Sequence, residues 1–121
     1  MDVLIPDGKL KRALEDAKER QRRYGQVMSK KIRLRMDALT AAETLGDFWP
    51  PYSPPERCHE LKGNMAGTFS MDLEHPKRLL FKPVSGDEVS EVNKAADITD
   101  EKQRWTTIRT IEISEVRDTH D

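Results

Sequence analysis

Apolar residues recur at helical spacing at Leu10, Ala13, Leu14 and Ala17, with Asp7 placed to cap the start and Gly25 to close the pattern just beyond Tyr24. A second helical pattern follows, with Met28, Ile32, Met36 and Leu39 on one row, Val27, Leu34, Ala38, Ala42 and Leu45 beside it, and Gly46 at its end. The join is too tight for anything but an antiparallel or sharply bent pair. The run DFWPPYSPP, residues 47–55, holds four prolines and predicts a stiff crossover pinned by Phe48, Trp49 and Tyr52. Beyond it the period changes to two. Phe69, Met71 and Leu73 alternate with Ser70, Asp72 and Glu74, and after an EHPK turn the run KRLLFKP continues extended, which predicts a hairpin. Residues 85–104 are polar and aperiodic and read as an exposed loop with at most one helical turn, whereas 105–120, rich in Ile, Val and Thr, reads as a strand. The sum predicts an α+β domain spanning residues 1–121. Two N-terminal helices, about 7–46, lead through a Pro-rich crossover, 47–56, to a small antiparallel β-sheet, about 57–120, packed on them.

Composition narrows the function. A chain of 121 residues is one domain's worth, and 36% charged residues against 6% aromatic predict a modest, mostly aliphatic core. The formal net charge of -1 supplies no overall attraction to nucleic acid or to an acidic membrane. The charge is uneven: residues 1–62 hold 13 Lys+Arg against 10 Asp+Glu, while 84–121 hold 5 against 10. A basic surface is therefore to be sought outside the C-terminal third. Cys58 is the one cysteine, so no intramolecular disulfide forms, which suits a reducing compartment. The start, MDVLIPDG, lacks a basic segment and a long apolar run, and nothing approaches the ~20 apolar residues that cross a bilayer. A cytoplasmic protein without a membrane partner is expected. His59, His75 and His120 lack metal-ligand spacing, and no GxSxG, P-loop, HExxH or GxGxxG occurs, so neither metal nor cofactor is expected.

One stretch is more than a pattern: RCHELKGNMAGTFSMDLEHPKRLLFKP. Together with the Tyr24-Gly25 break, LTAAETLGD at the end of the second helical pattern and the closing IEISEVRDTH, it resembles the RelE/ParE toxin superfamily. Within that superfamily the resemblance is to HigB-type killer proteins of plasmid-maintenance toxin–antitoxin systems. It rests on Arg57-Cys58-His59-Glu60-Leu61-Lys62-Gly63, on the run Gly67 to Leu73 and on Arg78-Leu79-Leu80-Phe81, and covers almost the whole chain in order. The resemblance implies the toxin of a type II toxin–antitoxin pair, a ribosome-dependent mRNA endonuclease that uses no metal. The ribose 2′-OH attacks the adjacent phosphate, leaving a cyclic phosphate and a 5′-OH. It also implies two partners: a cognate helix-turn-helix antitoxin of the HigA type, and mRNA on the ribosome.

That chemistry needs a group for the hydroxyl proton, positive charge for the phosphorane and an acid for the leaving oxygen. Arg78 matches the family's strand arginine and can fork two phosphate oxygens; the plainer reading is an ion pair with Asp72 or Glu74 across the hairpin. His120 matches the family's terminal histidine, suited to proton transfer; the plainer reading is a frayed terminal residue. The family's preceding tyrosine is replaced by Thr119, which offers a hydroxyl but neither an aromatic face nor a phenol. Arg57, Lys62 and Lys77 are candidate phosphate contacts, while His59 reads as structural and Cys58 as a small core residue. Asp72 and Glu74 fall on the face beside the proposed RNA surface, where anions repel phosphate. Lys30, Lys31, Arg33 and Arg35 read as a solvated helix face. Two other functions stay open: a weakened toxin-fold binding module, and a ParE-like inhibitor of DNA gyrase, which would not require Arg78 and His120.

Overall fold

The computed structural model describes residues 1–84 and 98–118. Asp7 caps the first helix as the sequence predicts, its carboxylate accepting from the Lys9 and Leu10 backbone N–H groups at 2.9 and 3.1 Å. That helix does not run to Tyr24. It splits into α1 (Gly8–Glu15) and α2 (Ala17–Tyr24), because Asp16 leaves helical geometry at φ −85, ψ 118 and caps α2 through Lys18 and Glu19. Gly25 closes α2 at φ +83 and opens α3 (Gln26–Ala41). Here too the expected boundary moves. The helix stops at Ala41, and Gly46 lies in a 3-10 turn, Leu45–Phe48, rather than at its end.

Of the two apolar rows on α3, Met28, Ile32 and Leu39 are buried, whereas Val27 and Leu34 stay exposed at 58% and 43%. Arg35, expected on a solvated face, is buried. Arg20 is buried as well, joining α2 to α3 by donating to Ser29 Oγ and to the Leu14 carbonyl, both at 2.8 Å.

Five strands form one sheet in the order β1-β5-β4-β3-β2. They are β1 (Asp2–Leu4), β2 (His59–Glu60), β3 (Phe69–Asp72), β4 (Lys77–Pro83) and β5 (Thr110–Asp118). The β3–β4 hairpin is the one the period-two pattern predicts, with Phe69 opposite Phe81 and Asp72 opposite Arg78. β1 is the strand the sequence conceals; its parallel pairing with β5 makes the sheet mixed within the expected α+β class. The stretch read as loop and then strand contains a helix, α4 (Ile98–Thr107). Its anchor is Trp105, fully buried, which meets Trp49 edge-on at 5.1 Å and Phe69 at 5.4 Å. Residues 85–97 of the expected loop lie outside the described residues.

One face of the sheet is core. Phe69, Met71, Leu79, Phe81, Ile111 and Ile113 pack with Leu14, Ile32, Leu39 and Leu45 from the helical side. An irregularity in β5 decides what the other face carries. Leu80 stands opposite Glu115 but Phe81 opposite Ile113, so Ser114 is an extra residue, with its Oγ donating to the Leu80 carbonyl at 3.2 Å. The bulge shifts the alternation by one, so Val116 follows Ile113 on the core face and Arg117 joins Arg78 on the other. Among the described residues no helix is long and apolar enough to cross a membrane.

Candidate functional site

The sheet face away from the core carries, side by side in register, Asp72 of β3, Arg78 of β4 and Arg117 of β5. The Asp72 carboxylate joins two arginines. Oδ1 lies 3.1 Å from Arg78 Nε, and Oδ2 lies 3.2 Å from Arg57 Nε. The expected plain pairing of Arg78 with Asp72 therefore exists, and it brings in Arg57 as well. Arg78 also donates from Nη1 to the Lys77 carbonyl at 3.2 Å.

Asp72 is fixed along its backbone too. Its N–H donates to the Glu56 carbonyl at 2.8 Å, and its carbonyl accepts from Arg35 Nε at 2.7 Å. Arg35 reaches from α3 and extends Nη2 to the Pro55 carbonyl at 3.4 Å. A buried guanidinium thus ties the helix to the end of β3 and to the Pro-rich crossover. With its hydrogens directed at carbonyls, it answers part of the cost of burying a charge.

The crossover adds an aromatic group. Tyr52 and Arg57 both hold left-handed backbone, at φ +68 and +50, unusual for residues with a Cβ and found where surrounding structure fixes it. The Tyr52 ring stacks on His59 with centroids 4.1 Å apart and planes 18° apart, and the Arg57 guanidinium lies 5.2 Å from the Tyr52 ring centre. His59 Nδ1 lies 2.8 Å from the Arg57 carbonyl, which can only accept, so that nitrogen carries the hydrogen and Nε2 of the neutral ring is an acceptor. Beneath, Ser70 pairs in register with His59 on one side and Leu80 on the other. Its Oγ is buried and has no hydrogen-bond partner among the described residues.

Arg57, Arg78 and Arg117 set three cations against Asp72 and against Glu115, which approaches Arg117 at 3.9 Å. This surface leaves a local positive excess on a molecule of formal net charge -1. Lys62 and Lys77 do not join the cluster. Lys62 is exposed past the far end of β2, and strand alternation turns Lys77 to the side opposite Arg78. Thr119 and His120 lie outside the described residues; the last residue before them, Asp118, stands opposite Lys77 at the start of β4. Cys58 is a buried free thiol, and burial pushes it well above the ordinary range, with a smaller push from Glu56. No group of three His, Cys, Asp or Glu placed to hold a metal occurs among the described residues.

Sequence reasoning passed over Tyr52 as a site residue, gave His59 a structural part and counted Asp72 as a repelling anion. Arg117 escaped it because the bulge at Ser114 leaves no mark in the alternation of IEISEVRD. Two guanidiniums converging on one acceptor, with a stacked Tyr–His pair beside them, form a surface able to grip a phosphodiester and meet a base.

The class these features define is a small α+β domain with a helix-backed mixed sheet that carries arginines at one end of its opposite face. A solved structure of the same build is the YoeB/ParE toxin from Agrobacterium tumefaciens, which aligns over 99% of this chain and 100% of its own at a TM-score of 0.53 and 18% sequence identity. The fold is RelE/ParE toxin-like. No protein-family model matches the chain, and neither does a curated protein.

Proposed function

We propose that this chain is the toxin of a type II toxin–antitoxin pair, HigB-like in kind, and that it cuts mRNA on the ribosome without a metal. The observation that carries this reading is the meeting of Arg57 and Arg78 at one carboxylate on the face of a toxin-like sheet away from its helices. A phosphorane has anionic oxygens where a fork of N–H donors is worth most. Arg78 stabilises that charge, Arg57 holds the scissile or neighbouring phosphate, and Arg117 adds field from the next strand. His120 transfers a proton, and Thr119 contributes a hydroxyl beside it. His59, with Nε2 as acceptor, is a second group able to take the 2′-OH proton. Lys62 and Lys77, which stand away from this cluster, are left without a part in gripping the scissile phosphate. The partners are a helix-turn-helix antitoxin of the HigA type and ribosome-bound mRNA in the cytoplasm.

The test is expression without an antitoxin. Growth arrest with messages cut inside codons, abolished by Arg78→Ala and by His120→Ala, is the expected result. Loss of one transition-state donor costs about 10²–10³ in rate. Arrest with intact message and broken DNA would replace this reading with gyrase inhibition. No arrest would leave a toxin-fold binding module.

A further inference from the structure

Among the described residues Asp72 is the one anion placed between the two site arginines, and the first impression is of a carboxylate occupying the place of a phosphate. The geometry points to the opposite: we propose that Asp72 is a positioning residue that aims Arg57 and Arg78 at a single RNA phosphodiester. The inference rests on the RNA-cleaving reading above and assigns a residue that reading did not use.

Three observations carry it. Asp72 forms an ion pair with each guanidinium at its Nε edge, one carboxylate oxygen for each arginine. The forked pair formed by the two Nη nitrogens of Arg57 therefore has no hydrogen-bond partner among the described residues, nor does Nη2 of Arg78. A competitor for phosphate would take those forks, because that is where an oxyanion binds with two parallel bonds. Second, the Asp72 backbone, from which the carboxylate projects, is held in place. Its N–H is held by the Glu56 carbonyl at 2.8 Å and its carbonyl by Arg35 at 2.7 Å, so the residue is fixed from both neighbouring segments. Third, the opposite side of Arg57 is fixed as well, by the Tyr52 ring at 5.2 Å. A long, rotamer-rich side chain held at both ends loses little further freedom when it binds. Since one carboxylate reaches both guanidiniums, one phosphate group can do so too. The remaining charge of the face, Arg57, Arg78 and Arg117 against Asp72 and Glu115, still favours an anion.

Asp72→Asn tests this, because it keeps the shape and the backbone contacts and removes the charge that pairs with two arginines at once. Single-turnover cleavage of ribosome-bound message is compared with the wild type, and the arginine Nε–H resonances are followed by NMR while the nucleotide pUp is titrated in. The expected result is a loss of about tenfold or more in the maximal rate with KM changed much less, an unchanged melting temperature, and partial recovery in Asp72→Glu; such a split reports transition-state alignment rather than binding. In the wild type the Arg57 and Arg78 Nε–H signals shift together with pUp, and in Asp72→Asn the paired response is lost. A variant that cleaves as fast as wild type or faster overturns the inference and leaves the nuclease reading standing. If the wild type cuts no RNA, the nuclease reading fails by itself. The pUp titration then decides the role of Asp72: equal or stronger paired shifts in Asp72→Asn overturn it, and their loss upholds it.

Discussion

Single residues at this site are held in positions that their neighbours dictate. Tyr52 occupies left-handed backbone at φ +68, a region that costs a side chain roughly 1 kcal/mol and costs glycine nothing. Tyr52→Gly is therefore expected to melt within a few degrees of wild type, since relief of strain offsets lost ring contacts. The same change removes the stack on His59 and the cover over Arg57, so cleavage should fall about tenfold or more, a loss Tyr52→Phe should avoid. Thermal melts alongside single-turnover assays check both halves. Cys58 tests the core behind the site. Its thiol is buried and pushed upward by desolvation, so native protein should resist iodoacetamide that unfolded protein takes up. Cys58→Ser, which buries a hydroxyl in its place, should cost about 1–3 kcal/mol in urea unfolding. Arg57 and Arg78 stand out in the sequence by residue type and by the family resemblance, and the fold brings them together at Asp72. The role of Asp72 was not legible in the sequence, since a carboxylate near a phosphate site repels or orients depending on which nitrogen it touches.

At the level of elements, caps and periods foretold much and missed where side chains cross between segments. Asp16 illustrates the local half. It reads as an ordinary polar residue inside a helical pattern, yet its carboxylate accepts from Lys18 and Glu19 and starts a new helix. Asp16→Ala should lower the urea midpoint by an amount equivalent to about 1 kcal/mol with the slope unchanged. Arg35 illustrates the other half. Within KKIRLR it cannot be told from its solvated neighbours, but it is the cation that α3 turns inward to the Asp72 and Pro55 carbonyls. Arg35→Met should leave those carbonyls short of a donor, costing about 1–3 kcal/mol, and should also slow cleavage by loosening Asp72. Arg33→Met, on the exposed side and paired only with Asp37 at 3.4 Å, should change neither appreciably. α4 eluded the pattern because its apolar anchor is a lone tryptophan in a polar run; tertiary burial of Trp105 supplies what local periodicity lacks.

The whole molecule is joined at points that only close approach reveals. Gly46 is one of them: a Cβ built there would meet Thr106 Cγ2 at 2.6 Å and the Thr106 Cα at 3.1 Å, so the 3-10 turn can lie against α4 only without a side chain. Gly46→Ala should therefore destabilise by about 1–3 kcal/mol, read as a lowered melting temperature, although nothing in the turn's own conformation demands glycine. The sequence by itself determined the α+β class, the β3–β4 hairpin, the Asp7 cap, the Gly25 break and the apolar face of the sheet. Each of these is a short-range consequence of period, cap or turn chemistry, written in residues a few positions apart. Tertiary structure alone decided four further features. β1 pairs with β5 across more than a hundred residues, and Ser114 rephases a strand so that Arg117 stands beside Arg78. Arg35 turns inward from its helix, and one carboxylate becomes the hub of two arginines. Register, bulge and buried polar pairing depend on partners that are distant along the chain, and no local pattern encodes which partner arrives.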